Sequence, residues 1–512
     1  MIPDVEASAG TGVIASLLKL LASNAVVTVC TLLRDMAVAA TFGATGVSDL
    51  YFLAVSIPVF LVSVAAGSYR SVVVPVLVRL RTEYPGSFRA VAARLLLVNV
   101  LAVGLTVLAA AIVIGGGYLL ARAGEGTPGG PQLLWVMLLV LPMYALSALV
   151  ELSQGTLQTV GALFLPNLSR AALPVGVIGG ALAASAGAGL QGVVIGGTVG
   201  ALAGAGSVAW QLRHFGLWPR TGEAHLPKPL SQQFLGNFRA LVMATSITYI
   251  SPLIGQWLAG LLGAGAVSAL GYANRLTVGA AALITGSLTP VLLGFFSRGN
   301  TVRDSGNRPS EFVDVTSALA WAGSLMTLAF WIGSDWLISL LYQRGAFTAD
   351  DADAVRLLAD CYALQFPLLL AGTTATTMIS AHSLNRVFVP IGIVLFVVNL
   401  GFSVALMFRF QAPGIAVASS LTYVTSVILL FWFLSRQGLV RLDRAALVRI
   451  VGPFALLGAA GGVVFVVPVR LTDGSMLTSL VAGAFLWLVF AAAAAAANRG
   501  LLRRLAGANW RS

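Results

Sequence analysis

Long apolar runs, broken by short polar turns rich in Gly and Pro, set the pattern of this chain. A spanning helix needs about 20 mostly apolar residues. That rule predicts fourteen spans, at approximately 14–42, 48–78, 92–121, 131–158, 161–186, 190–212, 235–262, 265–296, 312–342, 354–381, 386–408, 412–435, 447–469 and 475–498. The turns include Thr127-Pro128-Gly129-Gly130, Pro219 to Pro229 and Gly299 to Pro309. The longest polar stretch, Arg213 to Arg239, falls between the sixth and seventh spans. The predicted fold class is an all-α polytopic membrane protein. The first apolar run continues through Leu33-Arg34-Asp35 to Phe42 without a convincing cleavage site, so it reads as a span rather than a signal peptide.

The pattern repeats. Ser169-Arg170-Ala171-Ala172-Leu173-Pro174-Val175-Gly176 resembles Asn385-Arg386-Val387-Phe388-Val389-Pro390-Ile391-Gly392, with Arg, Pro and Gly each offset by 216. Gly67-Ser68 resembles Gly286-Ser287 at offset 219, and Gly192-Val193-Val194-Ile195 resembles Gly414-Ile415-Ala416-Val417 at offset 222. Spans 1–6 therefore match spans 7–12. An even number of spans per repeat inserts both halves in the same orientation, a transporter architecture with its site expected between the halves. The expected organisation is an N-lobe at 1–213, a linker at 214–238, a C-lobe at 239–437, and a C-terminal pair of helices with a tail at 438–512.

Composition agrees with a bilayer environment: 58% of the 512 residues are hydrophobic and 9% are charged. The formal charge of +12 is mostly a topology signal. Sorted by loop, 22 Lys and Arg fall on one side and five on the other, with Arg34, Arg70 and Arg275 inside spans. Both termini are therefore expected in the cytoplasm. The basic excess would attract anionic lipid, and no nucleic-acid partner is expected. Cys30 and Cys361 form no metal spacing or disulfide framework and read as packing residues.

The candidate chemistry lies in charges stranded at bilayer depth: Arg34, Asp35, Asp49, Arg70, Glu151 and Arg275. Each costs about 2.5–3.5 kcal/mol on insertion scales, so each is expected to face a partner or a wet cavity. Arg34 and Asp35 are adjacent and read either as a local charge pair or, since neighbours point about 100° apart and neutralise each other inefficiently, as charges lining a cavity or coupling to transport. Asp49 begins the second span and reads either as a helix N-terminal charge or as functional. Arg70 either lines a cavity or snorkels to the cytoplasmic face, which Arg79 places about two and a half turns on. Glu151 is expected to pair with an arginine rather than carry a proton. Arg275 has no acidic neighbour within a turn, so its partner is tertiary or a ligand. Three arginines suit a diphosphate, because a guanidinium makes two parallel charge-assisted bonds. Asp350, Asp351 and Asp353 read as helix capping rather than a metal site. No motif for a nucleotide, zinc or a serine nucleophile is evident, and no metal or cofactor is expected.

Leu33-Arg34-Asp35, Phe42-Gly43, Ser48-Asp49, Ile57-Pro58, Gly67-Ser68 and Val74-Pro75 resemble the opening of the MurJ/MviN lipid II flippases. So do Tyr272-Ala273-Asn274-Arg275-Leu276 and, most specifically, Tyr342-Gln343-Arg344-Gly345-Ala346-Phe347-Thr348-Ala349-Asp350. The family belongs to the MOP exporter superfamily. The resemblance covers nearly the whole chain and implies two six-helix repeats plus two C-terminal helices. It implies a transporter rather than an enzyme, moving an undecaprenyl-diphosphate-linked sugar–peptide from the inner to the outer leaflet of the bacterial cytoplasmic membrane for peptidoglycan synthesis. It implies functional roles for Arg34, Arg275 and Asp49, with Arg70 as a local substitute in the second span. Release driven by membrane potential or a coupled ion, with Asp35 or Asp49 modulating the arginines, fits that picture. The chain departs from the family where Thr28, Val62, Ser63 and Asn274 replace residues that are usually charged. Those departures leave as an alternative a flippase for another polyprenyl-diphosphate glycan, and a MATE-like cation exporter is a rival that would want buried carboxylates to outweigh arginines, where here they only balance. A membrane enzyme acting on polyprenyl phosphate is a more distant rival.

Overall fold

The protein is described here by a computed structural model over residues 11–123, 130–218, 252–298, 308–382, 384–470 and 476–498, with scattered residues between 238 and 250. The expected turns at 127–129, 219–229 and 299–307 lie outside the described residues. So do most of the linker expected at 214–238 and part of the span expected at 235–262.

Helices occupy each of the other thirteen expected spans. Among the described residues, eight helices are long and apolar enough to cross a membrane. Two of the eight, Phe164–His214 and Asn385–Arg436, run to 51 and 52 residues. At about 1.5 Å per residue, each is more than twice the thickness of a hydrocarbon core. Each is broken where the sequence predicts a turn. The first breaks at Gly187 and Gly189, with φ of 109° and 56°, and the second at Gln411, with φ of 54°. Each long run thus has the form of two spans. The count of fourteen stays an expectation, because the seventh span is only partly described.

The chain clusters into two compact units, one of residues 1–268 with 344–348, the other of 269–343 with 349–512. The first unit contains α1 (Thr11–Phe42), α2 (Gly46–Glu83), α3 (Pro85–Ala123), α4 (Gly130–Gln158), a short α5 (Phe164–Leu168), α6 (Ala172–Ala183) and α7 (Gly189–His214). A reciprocal capping box starts α2: the Thr45 N–H donates to Ser48 Oγ at 2.9 Å. Helix α4 packs against α2, α3 and α7. Tyr69, Val73, Leu77 and Leu80 of α2 meet Phe88, Val91 and Leu96 of α3, Leu157 of α4 and Leu212 of α7 in one apolar core. Helices α6 and α7 touch through glycine. A methyl group on Gly196 would run into the Gly176 carbonyl and the Gly180 backbone, so the backbones approach as closely as small-residue membrane contacts allow. The 344–348 turn belongs to this unit: the Ala346 N–H donates to the Ala40 carbonyl at 2.7 Å. Gly345, at φ 62°, sits against the same carbonyl, where a side chain would clash.

The second unit holds most of α8 (Ala266–Arg298), then α9 (Arg308–Tyr342), α10 (Ala349–Ala363), α11 (Gln365–Ala381), α12 (Phe388–Arg436), α13 (Arg444–Arg470) and α14 (Met476–Ala497). Helix α9 is its hub, packed against α10, α11, α13 and α14. Thr316 and Thr374 share a hydroxyl hydrogen bond of 2.8 Å between α9 and α11. The C-terminal pair is fastened to α9 by Arg449–Asp314 at 2.7 Å, by Trp487 Nε1 donating to the Leu325 carbonyl at 3.1 Å, and by a cluster of Trp321, Leu328, Leu457, Phe490 and Ala494.

Candidate functional site

Helix α1 carries Arg34 and Asp35 among apolar residues, and of the two readings the structure shows the local charge pair. Arg34 donates to Asp35 Oδ1 from Nε at 3.0 Å and from Nη2 at 2.7 Å. Their side chains are 14% and 4% exposed. The 100° between neighbouring side chains sets where they leave the helix. It does not set where a long arginine ends, and the guanidinium folds back over the shorter carboxylate. Tyr51 and Tyr144 share this electrostatic environment.

Asp49 lies in the first turn of α2, and its carboxylate reaches to another helix. Its Oδ2 accepts from the Gly265 N–H at 2.6 Å and its Oδ1 from the Ser268 N–H at 2.7 Å. It thus caps the N-terminus of α8, whose first residues belong to the same unit. A carboxylate there satisfies orphan amides and complements the helix dipole. Ser268 stands 219 positions after Asp49, the same offset that relates Gly67 to Gly286.

Arg70 and Glu151 meet in the interior of the first unit. Arg70 Nη2 donates to Glu151 Oε2 at 2.8 Å and to Gln154 Oε1 at 3.1 Å. Glu151 Oε1 accepts from Arg170 Nε at 2.5 Å. Glu151 is therefore a paired carboxylate, as the sequence favoured, but it serves two arginines. The second was missed, because Arg170 near the start of a span was counted with the loop charges. Arg170 sits in a 3-10 turn at Ser169–Ala171, inside the apolar run Phe164–His214. Its position in the strongest internal repeat was the signal that set it apart. Around the three charges, Gln154 Nε2 donates to the Pro166 carbonyl at 3.0 Å. Asn167 Nδ2 donates to Ser23 Oγ at 2.9 Å and to Asn24 Oδ1 at 2.8 Å. This polar network ties α1, α2, α4 and α5 together.

In the second unit, Arg275 lies in the third turn of α8 and is half-buried. Tyr272, one turn before it, is fully buried, with its ring 5.2 Å from that of Tyr342. Asp350 and Asp351 occupy the first turn of α10, where acidic residues favour a helix start. Asp353 and Asp335 flank Arg356 at 3.5 and 3.6 Å. Among the described residues, no group of three His, Cys, Asp or Glu side chains is placed to hold a metal ion.

These features define a multi-pass, all-helical membrane protein with charged residues inside its spans. Solved structures bear out the fold. A lipid II flippase MurJ in an inward closed conformation superposes with a TM-score of 0.72 at 20% identity, covering 94% of this chain and 99% of that one. An inward-facing multidrug resistance MATE family transporter of the MOP superfamily gives 0.65 at 14% identity, over 80% of this chain and 94% of that one. The sequence profile of the family described as lipid II flippase MurJ matches residues 38–486. The chain belongs to that family, which comprises transporters and not enzymes. A probable lipid II flippase MurJ of Rickettsia prowazekii (strain Madrid E) is 24% identical over 219 residues, an alignment spanning 42% of this chain and 42% of that relative.

Proposed function

We propose that this protein carries a lipid-linked peptidoglycan precursor, lipid II, from the inner to the outer leaflet of the bacterial cytoplasmic membrane by alternating access. The observation that carries the reading is the family match over 38–486, nearly the whole chain. Arginines at the matching positions in α1 and α8 support it. Arg34 and Arg275 hold the diphosphate, helped by Arg70. Asp35 tempers Arg34, and Asp49 holds the start of α8. The lobes at 1–213 and 239–437 are the moving halves, with 438–512 along the lipid tail. Both termini face the cytoplasm, and membrane potential or a coupled ion drives release.

The test is complementation of a strain depleted of its lipid II flippase, with leaflet-specific labelling of lipid II. The wild-type chain restores outward labelling, and Arg34→Ala and Arg275→Ala each abolish it at normal expression. Full rescue by both variants would overturn the arginine site. Failure of the wild-type chain despite membrane expression would overturn lipid II as the substrate.

A further inference from the structure

Two guanidinium groups and one carboxylate meet at Glu151, leaving one positive charge in excess within membrane-spanning helices. Such an excess is expensive in a low dielectric unless an anion joins it. Three further observations suggest where that anion sits. Arg70 Nε is buried and has no hydrogen-bond partner, so one donor of the fork is unused. Each arginine spends a single nitrogen on Glu151, at 2.8 and 2.5 Å, rather than the two-nitrogen fork that a carboxylate or phosphate can accept. The arginine side chains are also more open than the acid they share, at 35% and 33% against 17%. The frame is rigid: Gln154 is tied to the Pro166 carbonyl and Asn167 to Ser23 and Asn24, so the pair is organised before any ligand arrives.

Resting on the flippase reading above, we propose that Arg70 and Arg170 form an anion subsite for the diphosphate of the lipid-linked substrate, with Glu151 as the resident counter-ion that the ligand displaces. A resident carboxylate keeps the arginines solvated by protein when the site is empty. It competes with the ligand when the site is full, and so favours release. Arg170 is then a binding residue and Glu151 a positioning one.

The test uses the full chain in phosphatidylcholine nanodiscs, with lipid II titrated in and binding read by native mass spectrometry. Arg170→Ala weakens binding roughly ten- to a hundredfold, the scale of one lost hydrogen bond to a charged group. Arg170→Lys recovers part of the loss. Glu151→Gln tightens binding, because it removes the competing anion while retaining an acceptor. If Arg170→Ala and Glu151→Gln both bind as wild type while Arg34→Ala loses binding, the subsite is overturned and the flippase reading stands. If the wild type does not bind lipid II at all, the flippase reading fails and the subsite with it. Added phosphatidylglycerol that displaces lipid II through Arg170 would assign the site to a phospholipid headgroup and overturn the substrate role. Should Arg170→Ala fail to fold, Arg170→Lys and Glu151→Gln decide the matter. Unchanged affinity in both overturns the proposal.

Discussion

Residues 169–176 and 385–392 share one local structure and put it to different uses. Each opens with a 3-10 turn carrying an arginine, Ser169–Ala171 in one and Asn385–Val387 in the other, and each continues into a helix with Pro and Gly at matching positions. Arg170 is half-buried and held by Glu151 and Asn167, whereas Arg386 is exposed. The neighbouring helix makes the difference. Helix α4 presents Glu151, while α11, over Gln365–Ala381, contains no carboxylate. An internal repeat therefore preserves backbone and topology. A single acid on an adjacent helix decides whether its arginine is an interior charge or a surface one.

The helices that follow the two turns differ as well, and there the largest effect is expected. In the first unit, α6 and α7 meet backbone to backbone through Gly176, Gly180, Gly196 and Gly200. Gly196→Val should destabilise the protein by about 3 kcal/mol or more, because backbone atoms cannot yield as a side chain does. The readout is the melting temperature in detergent. In the second unit, Gly401 in the first half of α12 has open space around it. Gly401→Ala should leave the melting temperature unchanged or slightly raised. Equal losses at both positions would show that glycine packing does not distinguish the units.

The next effect in size concerns the charges. Glu151→Ala leaves two arginines without their shared acceptor, and a loss of about 2–3 kcal/mol is expected from that alone. Glu151→Gln should cost less, since one amide oxygen still accepts. If alanine and glutamine cost the same, the retained amide oxygen contributes nothing and the charge of Glu151 carries the whole effect.

Much of the architecture was legible because membrane helices are written in long runs of one chemistry. The breaks at Gly187 and Gln411 fall between predicted spans, and the repeat turns at 169–171 and 385–387 adopt the same conformation. Pairing was harder to read. Hydropathy places Glu151 and Arg70 at depth, but 81 residues separate them, and periodicity does not show which helix faces which. Asp49 illustrates the limit. Its position at the start of α2 suggested a charge or cap there, yet its carboxylate accepts from the start of a helix more than 200 residues later. For Arg34 and Asp35 the helix angle understated the pairing, because the arginine side chain is long enough to fold back over its neighbour.

The smallest expected effect is the one that isolates the repeat most cleanly. Arg386→Ala removes the counterpart of Arg170 at an exposed position with no carboxylate on α11 to strand. Surface changes of this kind stay within about 0.5 kcal/mol. Arg386 is also one of 22 basic residues assigned to the same side, so its loss should not alter orientation. The melting temperature and the accessibility of a C-terminal tag should therefore match wild type, while Arg170→Ala lowers the former. A comparable drop from Arg386→Ala would mean that the turn itself depends on its arginine in both halves. The contrast drawn from Glu151 would then give way to a common structural role for the repeated residue.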